Sequence, residues 1–590
     1  MTGKGRVLIF LFFMVGMIAS SLQGDVGQDA DIDMIMDQMI PLRDGVHLSA
    51  RIWMPEEIIK PLPAIFCMTP YDADEGQQRG VIFARSGYIY VLVDCRGRGN
   101  SEGEFLPNQT GGGDAADVIA WVAEQPWCNG QVVMRGGSYR GWVQWQAIKE
   151  RPAKLLTIVP TAAAYVGIDF PRPNNIFMSY MTRWIALVSG KPANWNLFND
   201  AKFWLGKYYA AYKKHLPFEK LAEFTGSNQK YFERWIAHPS FDDFWQSIAP
   251  RPEDYQKISI PILTITGHFD TDQPGAMTHY REHMKYGNPE AKDKHFLVIG
   301  PWNHAGTRYP TRELEGLAFG ENSLLDMERL HVAWYDWWLK DKAKPDFLKK
   351  RVCYYVLNAD EWKYADRLED VSNGTARWYL SSHDGEAHEI FHSGSLGESP
   401  PPAPQRPDVI TNDPLKLMPQ EDYLERGLHP SYLDQSRAYA EDKLIYHSAP
   451  LSEALEVAGY MTFKAFLELN VPDADLGVSV YEIKGDGRSV FLGEHYLRAR
   501  YRKSAEQPEL VSPGKVELYE FKDFYFFARK LDKGSRLRLI VYGLNSPDWE
   551  KNYNSGGVIS RETAKDARTA MIKLYHDSKY PSVLELPVKK

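Results

Sequence analysis

A serine, an aspartate and a histidine, in that chain order and each just beyond a strand-like run, have the chemistry to transfer an acyl group. The stretch VVMRGGSYRGWVQWQ at 132–146 carries the serine. Apolar residues suited to a buried strand lead through Arg135 into Gly136, Gly137 and Ser138, and a helix-like segment with Trp142 and Trp145 follows. A sharp strand-to-helix corner lifts a serine hydroxyl above a sheet and aims the next backbone N–H groups at the reacting oxygen. Glycine beside the serine relieves the crowding of such a turn. The strict G-x-S-x-G spacing is broken here: Arg140 stands where the second glycine belongs, and Gly141 follows it. On this stretch alone, Ser138 reads equally as a nucleophile and as a helix cap.

The other two groups shift that balance. The run ILTITG ends in HFDTD, which offers Asp270 with Asp272 two residues on, and FLVIGPWNH ends at His304. An α/β hydrolase needs an acid and then a histidine downstream of its serine. Open parallel sheets place active sites just past the C-terminal ends of their strands. Each residue alone has a plainer reading, Asp270 as a turn residue and His304 as a satisfied loop histidine. The three together, in order and on matching elements, favour catalysis.

The elements that must hold them follow from periodicity. PAIFCMTP, GYIYVLVDC, QVVMRG and LLTIVPTA are short apolar runs bounded by Gly, Pro or charge, and DAADVIAWVAEQ between two of them has helical spacing. Such alternation predicts a mainly parallel sheet covered by helices. From 163 to 250 the segments turn helical and aromatic, as in FMSYMTRWIALVSG, NDAKFWLGKYYAAYKKHL and NQKYFERWIAH. IPILTITG and KHFLVIGPW then restore strands before the helical SLLDMERLHVAWYDWWLKDK. After about 345 the runs RVCYYVLN, ARWYLSS, YMTFKAFLELNV, VSVYEI, VELYEFKDFYFFARKL and RLRLIVYG read as strands between turns, with a proline-rich loop at 399–407. That pattern predicts an all-β sandwich.

Bulk properties narrow the function class. The 590 residues are 44% hydrophobic and 25% charged, as expected of folded protein, and the net charge of -8 argues against a nucleic-acid-binding surface as the main function. GRGNSEG carries Glu102 at the third glycine position of a dinucleotide fingerprint, so that reading fails. The four cysteines, Cys67, Cys95, Cys128 and Cys353, fit no zinc spacing. Cys95 and Cys128 near strand ends leave both pairing and free buried thiols open. Asn108 and Asn373 lie in glycosylation sequons. The start of the chain has Lys4 and Arg6, an apolar run at 7–19 and small polar residues after it. It matches a secretory signal cleaved between 19 and 24, with a retained anchor as the alternative. The expected location is secreted or periplasmic, with no membrane span after signal removal. Nothing fixes the oligomeric state, and a homo-oligomer is compatible with the composition.

The chain resembles the CocE/NonD hydrolase family, which includes cocaine esterase, α-amino acid ester hydrolases, glutaryl-cephalosporin acylases and X-prolyl dipeptidyl-peptidases. MTPYDAD resembles the family's strand-end tyrosine motif, DCRGRGNSEGEF its Arg-Gly-rich loop, and WCNGQVVMRGGSYRGWVQWQ its serine elbow. GHFDTD and IGPWNHAG resemble its acid and histidine turns. The resemblance implies that Ser138 attacks the substrate carbonyl, His304 shuttles the proton and Asp270 orients the imidazole. It implies an oxyanion hole made by the Tyr71 phenol and the backbone N–H of Tyr139. His268-Phe269 departs from the aromatic pair that relatives often carry before the acid, which places the difference in the pocket wall. The carboxylates that hold a substrate ammonium in amino-ester hydrolases have no assigned match; Asp72, Asp74 and Glu75 near Tyr71 are acidic but read as a solvated turn.

The combined expectation is an α/β fold. Residues 1–24 form a signal peptide. An α/β-hydrolase domain at 25–162 and 251–345 is interrupted by a helical cap at 163–250, and an all-β, galactose-binding-like jelly roll occupies 346–590. The expected activity is hydrolysis of a small-molecule ester or amide by a serine esterase or acylase through an acyl-enzyme, which requires no metal or cofactor. An X-prolyl dipeptidyl-peptidase-type aminopeptidase is the alternative among enzymes. A carbohydrate-binding jelly roll beside a decayed hydrolase is the alternative outside them.

Overall fold

The computed structural model describes residues 31–589 apart from 384, 386, 403 and 434–441; the expected signal segment at 1–24 lies outside the described residues. The N-terminal sheet is built from β1 (Ile32–Pro41), β2 (His47–Pro55), β3 (Leu62–Thr69), β4 (Ile89–Asp94), β5 (Cys128–Gly137), β6 (Leu155–Thr161), β7 (Ile262–Phe269) and β8 (His295–Asn303). After the two-residue strands β9 (Glu313–Leu314) and β10 (Leu317–Ala318), β11 (Val352–Val356) and β12 (Glu361–Ala365) complete it. The strand order is β1-β2-β4-β3-β5-β6-β7-β8-β11-β12. From β4 through β3, β5, β6, β7 and β8 to β11 every pairing is parallel. All residues of β4 and β7 are buried, as a sheet covered on both faces requires.

Helices α1 (Gln77–Arg85), α2 (Gly111–Ala123) and α3 (Tyr139–Glu150) follow β3, precede β5 and follow β5. The helix Met327–Leu339 docks through two polar contacts as well as its apolar face. Trp334 Nε1 donates to Thr157 Oγ1 at 2.9 Å, and the Tyr335 hydroxyl donates to the Met134 carbonyl at 3.0 Å. The segment expected to cap the sheet holds the helices Tyr180–Val188, Ala201–Lys213 and Gln229–Ile236 with shorter ones between them. Its aromatic richness is largely core: Trp184, Trp204, Phe232, Trp235 and Trp245 are buried.

The expected boundary at 346 is corrected by the sheet. RVCYYVLN has strand character, but its strand, β11, pairs parallel with β8 and is buried at every position, and β12 pairs with it. Strand character does not say which sheet a strand joins; the apolar edge of β8 needed a partner, and β11 supplies it. Beyond residue 373 a thirteen-stranded, mainly antiparallel sheet system forms the all-β domain. The run VELYEFKDFYFFARKL is two strands, Val516–Phe521 and Phe527–Leu531. The residues between them turn through Asp523 at φ 58° and reach the N-terminal domain. All four cysteines are free and buried. Asn108 is buried and Asn373 exposed, so only the second sequon is accessible in the folded chain.

Candidate active site

Ser138 stands on the corner between β5 and α3 at φ 62° and ψ −128°. A non-glycine residue in this region costs on the order of 1–3 kcal/mol and persists only when its surroundings impose it. Here the Ser138 N–H is held by the carbonyls of Thr161 and Ala162, both at 3.0 Å, at the end of β6. The spacing of the glycines follows from two close approaches. Gly136 has φ 139°, and a Cβ there would come within 2.5 Å of the Arg140 Cβ. At Gly141 a Cβ would meet Ala163 Cβ at 2.8 Å and the Thr161 carbonyl at 3.0 Å. Glycine is therefore needed at 141, where α3 crosses the end of β6. Position 140 is free to carry a side chain because Gly136 makes room for it.

Asp270 follows β7 and is fully buried. Its Oδ1 lies 2.8 Å from His304 Nδ1 and accepts the Asp272 N–H at 3.0 Å, while its Oδ2 accepts the Thr266 hydroxyl at 2.9 Å. An ionised carboxylate accepting from a hydroxyl and a backbone N–H is fixed in orientation, and it fixes the histidine in turn. With Nδ1 engaged, the other ring nitrogen of His304 is left for the serine side. The loop after His304 folds back on the corner: at Gly137 a Cβ would come within 2.7 Å of Arg308 Nη1.

Tyr71, just past β3, is buried, and its phenol interacts with the Ser138 side chain. Trp184 Nε1 donates to the Tyr71 oxygen at 3.2 Å. The phenol accepts that bond and keeps its own O–H to donate. Burial raises the Tyr71 hydroxyl above its ordinary range despite the Trp184 and Ser138 contacts, so it stays a neutral donor. Tyr139 is the first residue of α3, so its N–H has no acceptor within the helix. Its ring packs between Trp142 and Trp184.

The Arg-Gly-rich loop supports this arrangement from behind. Arg98 is buried and donates to the Pro70 carbonyl at 2.7 Å and the Val188 carbonyl at 2.8 Å, joining the turn that carries Tyr71 to the C-terminus of the Tyr180–Val188 helix. Gly99 lets the loop close on Asp94, whose Oδ2 would lie 2.2 Å from a Cβ there. Asp94 in turn accepts the Ala73 N–H at 2.8 Å.

The expected difference at His268 lies elsewhere than the pocket wall. Its ring nitrogens face the carbonyls of Tyr355 at 2.7 Å and Phe526 at 3.3 Å, so it ties β7 to β11 and to the all-β domain. Gln273 completes that junction, donating to Phe526 O at 3.0 Å, and the Tyr525 hydroxyl donates to Thr271 O at 3.3 Å. Of the turn near Tyr71, Asp72 takes φ 113°.

Sequence reading missed Asp169. It lies in the loop after β6, is buried, and accepts the Tyr165 N–H through Oδ1 at 3.0 Å, while its buried Oδ2 has no hydrogen-bond partner among the described residues. Asp272 shares its field and lies 3.8 Å from His304 Nδ1. Burial and Asp272 raise Asp169 well above the carboxylate range; burial also pushes Asp272 up to about 6, with His304 opposing and Asp270 adding to it. Nothing in the spacing of Asp169 from Ser138 marked it; in the fold, Gly275 makes room for its Oδ2, which would lie 2.0 Å from a Cβ there.

Comparison with known proteins agrees with this architecture. Residues 44–306 match the X-Pro dipeptidyl-peptidase (S15 family) model, and residues 335–585 match the X-Pro dipeptidyl-peptidase C-terminal non-catalytic domain. Cocaine esterase from Rhodococcus sp. (strain MB1 Bresler) is 25% identical over 95% of this chain and 100% of its own length. An aminopeptidase from the marine sediment archaeon Thaumarchaeota archaeon superposes with a TM-score of 0.82 at 24% identity, over 97% of this chain and 98% of its own. An α-amino acid ester hydrolase superposes with a TM-score of 0.81 at 22% identity, over 98% and 100% of the two chains. With both of its domains matched in order across most of its length, the chain belongs to the S15 family of serine hydrolases, of the CocE/NonD type.

Proposed function

We propose that this hydrolase cleaves an ester or amide of a small substrate through an acyl-enzyme on Ser138. The observation that carries this reading is the strained Ser138 corner together with the 2.8 Å His304–Asp270 pair on the neighbouring strand ends. Ser138 Oγ attacks the carbonyl while His304 takes its proton, and Asp270 stabilises the imidazolium. The developing oxyanion is received by the Tyr71 O–H and the Tyr139 N–H, donors already in place and shielded from water. His304 then returns the proton to the leaving alcohol or amine as the C–O or C–N bond breaks. Water repeats the sequence on the acyl-enzyme, releasing the acid and free Ser138. The basic start and apolar run at 1–24 support export of the enzyme; no helix of the described residues is long and apolar enough to cross a membrane.

A second reading refines the substrate. Asp169, buried, and Asp272, partly buried beside His304, would be most stable with a cation between them. They support a substrate with a free amine, as an X-prolyl dipeptidyl-peptidase or an amino-acyl ester hydrolase takes.

A fluorophosphonate probe tests the nucleophile directly. Wild type is expected to label stoichiometrically and Ser138→Ala not at all, with ester turnover lost in parallel. Unlabelled wild type, or a labelled Ser138→Ala, refutes the assignment and leaves the all-β domain as a carbohydrate-binding module to be tested instead.

A further inference from the structure

Four guanidinium groups and one carboxylate line the pocket behind the serine corner: Arg79, Arg135, Arg140, Arg308 and Glu328. Glu328 is shared by two of them, Arg79 at 2.8 Å and Arg135 at 3.2 Å. Arg140 and Arg308 have no ion pair with a carboxylate among the described residues. Arg140 lies in the first turn of α3 with its guanidinium 5.6 Å from the centre of the Tyr71 ring, and its Nε is buried without a hydrogen-bond partner. Arg308, four residues beyond His304, presses Nη1 against Gly137, the residue before the nucleophile. Both arginines therefore flank the reacting centre from two different elements.

The carboxylates whose fields Arg308 shares are Asp270, which accepts from Thr266 and holds His304, and Asp272, which lies beside His304. Burial and the neighbouring Arg140 lower Arg308 to about 10, with Asp270 opposing. Like charges placed side by side in a partly desolvated site are unfavourable unless something neutralises them. The planar fork of arginine fits a carboxylate with two parallel hydrogen bonds. The glycines at 136 and 137 leave room for both side chains, so the pair is built into the corner rather than laid on its surface.

We propose that Arg140 and Arg308 form an anion subsite that takes a carboxylate carried by the substrate, next to the scissile bond. The proposal rests on Ser138 being the nucleophile. Combined with the acidic pair at Asp169 and Asp272, it makes the preferred substrate a zwitterion, with the ammonium and the carboxylate held by separate subsites.

Matched ester pairs test it. On the acyl side, 4-nitrophenyl hemisuccinate is compared with its neutral methyl-capped counterpart. On the leaving side, 4-carboxyphenyl acetate is compared with its methyl ester. Wild type is expected to favour the anionic member of one pair by about tenfold or more in kcat/KM, as a charged hydrogen bond warrants. That ratio is expected to shrink as salt is raised. Arg140→Met and Arg308→Met should each bring the ratio close to one, and Arg140→Lys and Arg308→Lys should restore part of it. Fluorophosphonate labelling of each variant reports whether Ser138 is still in place. Wild type showing no anionic preference in either pair, or labelled Met variants that keep it, overturns the subsite while leaving the nucleophile standing. Unlabelled wild type overturns both.

Discussion

Asp272, beside His304, changes charge within reach of neutral pH. Burial raises it to about 6, so it is neutral below that pH and anionic above it. If it holds a substrate ammonium, kcat/KM for an α-amino ester divided by that for its des-amino analogue should rise through pH 6. The ratio cancels the pH dependence of the chemical steps that both substrates share, and between about pH 5 and 6.5 the amine stays mostly protonated. Asp272→Asn should flatten the ratio and lower it by about tenfold at the upper end. A wild-type ratio that does not move with pH would sink the amine reading. At this scale the candidates Ser138, Asp270 and His304 were legible because each stands just past a strand end, whereas Tyr71 came only from the family resemblance. Asp169 was not legible, because a lone aspartate in a loop carries no signal until the fold sets it beside Asp272.

The helix Gln273–Tyr286 and the start of β8 bury three histidines against one another. His283 Nδ1 lies 2.8 Å from His295 Nδ1, His295 Nε2 lies 2.8 Å from Thr264 Oγ1, and His279 stacks on Trp145. Burial lowers His279 to about 3 and His283 to about 4, and holds His295 well below its ordinary value. The native state therefore takes up no proton on them until the pH is strongly acid, whereas the unfolded chain does so from about 6.5. Below 6.5 the unfolded state binds more protons, so stability falls as pH falls. Each such group contributes up to about 1.4 kcal/mol per pH unit. Replacing one, as in His283→Phe, should reduce the slope of denaturation midpoint against pH between about 6.5 and 4.5. Equal slopes for variant and wild type would contradict it. The helix itself was not singled out from periodicity, since its polar residues are buried in the turn behind the acid loop.

At the scale of the molecule, the all-β domain packs against both the helical layer and the acid loop of the α/β domain. Arg498 is buried on that domain, paired with Asp475 at 2.9 Å and Glu550 at 2.8 Å, and it also donates to the Asn175 carbonyl of the helical layer at 3.1 Å. Removing it leaves two buried carboxylates uncompensated, a loss of about 3–5 kcal/mol. Arg498→Met should lower the apparent unfolding temperature by several degrees and loosen the helical layer over the serine. A variant that unfolds with wild type would show that the two layers do not depend on this junction. The segment between Val516–Phe521 and Phe527–Leu531 makes the second junction, at the acid loop, and β11 with β12 makes a third within the sheet itself.

The sequence by itself determined the fold class, the order of the strands along the chain and the identity of the serine, acid and histidine candidates. Each of these rests on local pattern, on apolar runs and the turns that end them, which a linear chain displays. Which sheet β11 joins, why glycine is needed at 141 and not 140, where the buried carboxylate partner of Asp272 lies and which two of the four clustered arginines Glu328 pairs with were decided only in three dimensions. Those features arise where elements distant in the chain come within a few ångströms, and no spacing along the sequence records that distance.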